Sequence, residues 1–185
     1  MCPLKTKNYR LSTKKGYTLL ELLLYLAIFS VIITAVVYFA WNVVYGGQKS
    51  SNLNEVSYSA RYTAERIKYE IRNSSGITLG SSYFGVNLAT TPGSKLTLTS
   101  ADVSRNPIVI DISSGTLRAT VGANPVANLT PTNISVTNLV FTNNSSGDSK
   151  TKNISFALTL ESNVVSPGQI KQSIILESAA EIRGN

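Results

Sequence analysis

A run of 20 uncharged residues, Leu22–Trp41, lies directly after Glu21 and constrains this 185-residue chain more than any other feature. Only Ser30, Thr34 and two tyrosines dilute its apolar character. As a helix rising about 1.5 Å per residue it spans about 30 Å, the thickness of a bilayer's hydrocarbon core. Tyr38, Trp41 and Tyr45 at the far end suit an interfacial aromatic belt. Lys5, Lys7, Arg10, Lys14 and Lys15 precede the run with no acid among them. Clustered Lys and Arg on that flank predict a cytoplasmic N-terminus and an exported remainder.

That cluster also changes what the composition means. The formal net charge is +7, which by itself would suggest nucleic acid or an anionic membrane as partner. Past residue 16 the balance is 12 Lys+Arg against 10 Asp+Glu, so the rest of the chain is close to neutral. The lack of His excludes Ser-His-Asp and Cys-His catalysis and histidine metal sites. A single Cys, Cys2, leaves no internal disulfide and no CxxC zinc site.

Three processing schemes compete for the N-terminal segment. A cleaved signal peptide has an apolar core of about 7–15 residues and a small-x-small site, for which Val44-Tyr45-Gly46 is a poor candidate. A plain uncleaved signal anchor fits the length and flanks but gives Glu21 nothing to do. A carboxylate at the edge of an apolar span is costly, about 2.5–3.5 kcal/mol at mid-membrane, and such residues are usually functional. A cut between Gly16 and Tyr17 would place a new α-amino group four residues before Glu21. That ammonium could neutralise the carboxylate within one turn or from a neighbouring chain. Gly16 would let a protease approach the backbone closely.

The stretch Lys14-Lys15-Gly16-Tyr17-Thr18-Leu19-Leu20-Glu21-Leu22-Leu23 resembles the type III signal of type IV pilins and type II secretion pseudopilins. The resemblance implies cleavage after Gly16 by a membrane prepilin peptidase and N-methylation of Tyr17. It implies that Glu21 pairs with the N-terminal amine of an adjacent subunit during assembly. The partners implied are that peptidase, other pilin or pseudopilin subunits, an inner-membrane assembly platform, and membrane lipid before assembly. Two departures stand out. Tyr17 replaces the usual Phe, and position +22 is Tyr38 rather than the Pro that kinks many major pilins.

Beyond Gly46-Gly47, which break the apolar pattern and read as a flexible point, Leu53, Val56, Ala60, Ala64, Ile67 and Ile71 recur at spacings of 3, 4, 4, 3 and 4. That is an amphipathic helix with one apolar stripe, expected to pack on the domain's own sheet. Arg61/Glu65 and Arg66/Glu70 are read as i,i+4 pairs on its polar side. Asn73-Ser74-Ser75-Gly76 ends the helix.

From Ile77 the period becomes alternating. Leu96 and Leu98 share a face, as do Ile108, Ile110 and Ile112, and Ser113-Ser114-Gly115 turns into Leu117, Ala119 and Val121. Ile134 and Val136 have the opposite parity to Leu139 and Phe141, which predicts a bulge near Asn138. Ile154, Phe156, Leu158 and Leu160 form the cleanest strand, after a turn at residues 143–150. A loop at 163–168 leads to a last strand around residues 170–177. The stretch from Leu129 to Phe141 weakly resembles minor pseudopilins of the J class.

Chemistry is sparse in this region. Asp102, Asp111, Asp148 and Glu161 are scattered, without the ligand spacing of a calcium loop. P-loop, GxGxxG and GxSxG motifs are missing, and the SxxK spacing Ser12–Lys15 falls in the leader. Ser, Thr and Asn fill 58 of 185 positions, so triplets such as Asn128-Leu129-Thr130 and Asn133-Ile134-Ser135 arise by chance. Basic residues past Lys49 are dispersed, and no nucleic-acid partner is expected.

The expected protein is therefore an α+β, pilin-like subunit without cofactor, metal or catalytic residue. Residues 1–16 form a cleaved cytoplasmic leader, 17–45 a transmembrane helix half, 46–75 an amphipathic half, and 76–185 an exported antiparallel β-domain. Its role would be assembly into a type II secretion pseudopilus or a type IV pilus. The rival is a signal-anchored extracytoplasmic β-domain that binds or catalyses and never polymerises.

Overall fold

The structure is a computed structural model, and it describes residues 16–147, 151–163 and 171–183. The five leader cations, Cys2, the Ser12–Lys15 pair, Asp148 and most of the 163–168 loop lie outside the described residues. The chain divides into two compact units between Val44 and Tyr45. One helix, α1 (Leu19–Arg72, 54 residues), contributes to both. It passes through Gly46 and Gly47 without interruption, so that pair is not a break in the helix. A missing β-carbon costs helix propensity, about 1 kcal/mol per glycine against Ala, but a helix this long absorbs it.

In the first unit every residue from Gly16 to Val44 is exposed except Glu21, which is half-buried. The best window has a mean hydropathy of 2.6, and the helix is long and apolar enough to cross a membrane. Within α1, the Ser30 hydroxyl donates to the Ala27 carbonyl at 2.8 Å, and the Thr34 hydroxyl to the Ser30 carbonyl at 2.8 Å. The Ser30 and Thr34 hydroxyls of the apolar run are thus satisfied on their own helix, as an apolar solvent requires.

In the second unit the sequence stripe becomes core. Val56, Ala60, Ala64, Ile67 and Ile71 are buried, whereas Leu53 is exposed, so the stripe starts one turn later than its spacing predicts. Among the described residues eight strands follow: β1 (Gly76–Ile77), β2 (Lys95–Thr99), β3 (Ile108–Ser113), β4 (Thr116–Val121), β5 (Ala127–Asn128), β6 (Ile134–Asn143), β7 (Asn153–Ser162) and β8 (Ser173–Glu181). They form two antiparallel sheets, β1-β2-β3-β4-β5 and β6-β7-β8. Their inward rows, including Leu96, Leu98, Ile108, Ile110, Leu117, Phe141, Ile154 and Leu158, join the helix stripe in one hydrophobic cluster. This is the expected α+β arrangement, with two sheets in place of one. The last strand runs to Glu181, four residues further than its pattern predicts, because Ala179 and Ala180 carry little periodic signal. β1 and β5 have only two residues each and left no signal at all.

Local chemistry explains the turns. The β3–β4 hairpin closes Ser113 onto Thr116 through Ser114 and Gly115, whose φ angles of 51° and 76° suit the twist of a two-residue hairpin. The helix ends as the Ser74 hydroxyl donates to the Ile71 carbonyl at 2.6 Å. Gly76 then pairs with Thr99, and a β-carbon there would lie 2.9 Å from the Thr99 hydroxyl, so glycine permits this close crossing.

The predicted bulge is present: the register of β6 against β7 shifts between Val136 and Asn138. One extra residue, Thr137, reverses the parity, and Ile134, Val136, Leu139 and Phe141 all point inward. Such a bulge disrupts the ladder, and Asn87 repairs it. Its amide donates to the Thr137 carbonyl at 3.2 Å, and its carbonyl oxygen accepts the Leu139 N–H at 3.0 Å. Asn87→Ala is expected to lower unfolding free energy by about 1–3 kcal/mol by leaving these groups unpaired. Asn87→Asp, which keeps the acceptor alone, should recover part of the loss in the same denaturant titration.

Candidate functional site

The N-terminal segment carries the residues singled out by their spacing. Gly16, Tyr17 and Thr18 are exposed and non-helical, and α1 begins immediately after them. Thr18 acts as the N-cap: its hydroxyl oxygen accepts the Glu21 N–H at 3.3 Å, and its carbonyl accepts the Leu22 N–H at 3.2 Å. Thr18-Leu19-Leu20-Glu21 is thus a Thr-x-x-Glu capping sequence, a signal the spacing carried that the sequence reading passed over. The Glu21 carboxylate, in turn, accepts from the Tyr25 hydroxyl one turn later, at 3.3 Å.

This geometry positions Glu21 in the first turn of the helix, where the unsatisfied N–H groups and the helix dipole favour a negative charge. Tyr25 supplies one donor, and a carboxylate has room for more. Among the described residues nothing lies within 4 Å of where a β-carbon on Gly16 would sit.

A second polar cluster lies on the domain, and it corrects the reading of Glu70. That side chain is fully buried rather than on an open polar face. Its two oxygens lie 2.6 Å from Arg66 and 2.7 Å from Arg105, and both guanidiniums lie over the Tyr69 ring, at 5.2 and 5.9 Å. Arg105 comes from a 3-10 turn, Val103–Arg105, which Asp102 caps by accepting the Ser104 N–H at 2.9 Å. Hydrogen bonds from the Ser104 hydroxyl and N–H hold the Asp102 carboxyl below its ordinary range. The cap therefore stabilises the turn at neutral pH and is lost as acid protonates the carboxylate. On the same helix Glu65 pairs with Lys68, three residues on, instead of Arg61.

Two further carboxylates have structural partners. Asp111 pairs with Arg118 across the β3–β4 hairpin, and this hydrogen bond raises the Arg118 pKa further. Glu161 lies 3.1 Å from Lys171. Among the described residues no three His, Cys, Asp or Glu side chains gather as metal ligands would.

Residues 11–37 match the family model of the prokaryotic N-terminal methylation motif. That match supports the type IV pilin and pseudopilin family, and with it a pilin-type substrate of prepilin peptidase anchored in a membrane by its apolar helix. Comparisons with curated proteins and with solved structures gave no match.

Thr18→Ala is expected to destabilise the first turn of α1 by about 1 kcal/mol through loss of the cap. Hydrogen exchange of the Glu21 and Leu22 amides, in the full chain held in micelles, should accelerate about fivefold.

Proposed function

We propose that the chain is a minor pseudopilin or minor pilin, a structural subunit and not an enzyme. Prepilin peptidase cuts it between Gly16 and Tyr17, and Tyr17 is then N-methylated. The observation that carries this reading is the methylation motif lying on an exposed, non-helical Gly16–Tyr17 bond directly before a capped apolar helix.

In this mechanism the leader cations hold the N-terminus on the cytoplasmic side and are then discarded with Cys2. The subunit waits in the membrane as a single-pass protein with its β-domain exported. An assembly platform extracts it, and the apolar helix moves from lipid into a core of neighbouring helices. Glu21 sets the register by pairing with the Tyr17 ammonium of an adjacent subunit. An uncompensated carboxylate in an apolar core is costly, so the pairing penalises misaligned subunits. Tyr25 holds the carboxylate in one orientation until the amine arrives. The J-class likeness of residues 129–141 favours a minor component over a major one.

Mass spectrometry of the natively expressed chain should find an N-terminus at methylated Tyr17. A chain that still begins at Met1 and functions with Glu21 replaced would overturn the proposal. Glu21→Ala should leave cleavage intact and lower incorporation into filaments at least tenfold, since a buried pair lost from one side costs about 3–5 kcal/mol. Normal incorporation would remove the proposed role of Glu21.

A further inference from the structure

The three-stranded sheet treats its two edges differently. The outer edge of β6 is covered: Gly85 N–H donates to the Phe141 carbonyl, Leu88 N–H to the Leu139 carbonyl and Val136 N–H to the Gly115 carbonyl, each at 2.8 Å. The outer edge of β8 is open among the described residues. β7 is the only described strand that pairs with it.

Hydrogen bonding shows which groups face outward. Ser162 N–H donates to the Gln172 carbonyl at 2.9 Å, and Ile182 N–H to the Lys152 carbonyl at 2.8 Å. Antiparallel partners alternate along a strand, so the even-numbered residues of β8 bond to β7. The N–H and C=O groups of Ser173, Ile175, Glu177, Ala179 and Glu181 therefore point away from the sheet. Arg183, next in that row, obeys the same parity, since its N–H reaches the Arg72 carbonyl at 3.3 Å. Ile175 is 70% exposed on this edge, an unusual setting for a branched apolar side chain in a strand with free backbone groups.

We propose that the β8 edge pairs antiparallel with the β8 edge of a second copy of this chain, about a two-fold axis at Leu176. The side-chain pattern selects this register. It places Lys171, which lies 3.1 Å from Glu161 of its own chain, opposite Glu181 of the other copy, twice by symmetry, with Ser173 opposite Ala179 and Ile175 opposite Glu177. Centring one residue later would set Glu177 against Glu177, and centring one residue earlier sets Ile175 against Ile175 but forfeits both Lys–Glu pairs. Leu176, half-buried against the core, meets its own copy across the axis and covers its remaining surface. Two three-stranded sheets then become one of six strands. A two-fold contact closes on itself and cannot propagate a filament, so this is a contact between subunits outside a polymer. It rests on the β-domain alone and does not depend on the proposed processing of the N-terminus.

The test uses the full chain in micelles with Cys2→Ser as background, so that its outcome is the same whether or not the leader is cut. Chains carrying Ser173→Cys are mixed with chains carrying Ala179→Cys and treated with a short bis-maleimide. In the proposed register the 173–179 separation is about 5.5 Å, whereas 173–173 and 179–179 are about 20 Å apart. The mixed link should exceed both like-with-like links at least tenfold. Ile175→Pro removes an outward N–H without touching the β7 ladder, and should abolish that excess while the melting temperature holds. Lys171→Glu should reduce the mixed link severalfold, and adding Glu181→Lys should restore it. Equal yields of all three links, no link, or a mixed link indifferent to both the proline and the charge swap would overturn the proposal. So would a β8 edge protected from labelling only when a different protein is added.

Discussion

The second unit depends on one packing event: the stripe Val56, Ala60, Ala64, Ile67 and Ile71 of α1 entering the core formed by the two sheets. Each sheet has an apolar face that must be covered, and the helix stripe supplies part of that cover. The two alanines keep the helix backbone close, while the branched residues fill the space between inward rows. Burying an isoleucine is worth about 1.5–3 kcal/mol, so the three branched positions supply a large part of a typical domain's net stability. Polar ties mark the same seam. The Thr63 hydroxyl, buried on the helix, donates to the Leu129 carbonyl at 3.2 Å.

Two other polar residues hold places where regular structure would leave groups unpaired. Glu70 gathers Arg66 from its own helix by an ion pair and Arg105 from a distant turn by a hydrogen-bonded ion pair, so a buried charge is neutralised from two segments. Asn87 substitutes for a missing stretch of ladder beside the β6 bulge. Both residues trade a flexible side chain for a fixed connection between segments far apart in sequence. The cost of leaving either set of groups unmatched in the interior is what makes these connections specific.

The first unit obeys the opposite solvent rule. Its apolar side chains are exposed, and its Ser30 and Thr34 hydroxyls are satisfied on the helix backbone itself. That is how a segment must be built when its surroundings are lipid or other apolar helices. The one carboxylate in it lies at the helix start, where backbone N–H groups favour negative charge, with a single tyrosine donor. A chain poor in His, Cys and clustered carboxylates gains its specificity from such placement of single groups, not from a reactive centre.

Most of the architecture was legible because periodicity is a local property. The helix from Leu19 to Arg72, the Ser114-Gly115 turn and the parity change around Thr137 each follow from neighbouring residues alone. The methylation motif was legible for the same reason: Lys14, Lys15, Gly16, Tyr17 and Glu21 stand within eight positions. Only the tertiary structure decided matters of long range. It divided the strands between two sheets, since alternation fixes a strand's faces but not its neighbours. It also buried Glu70, because Arg105 lies 35 residues away and no spacing on the helix could announce it. The choice of Asn87 to close the bulge was equally invisible, as its partners lie 50 and 52 residues further on. Sequence determined which residues avoid water; the fold decided which groups meet when they do.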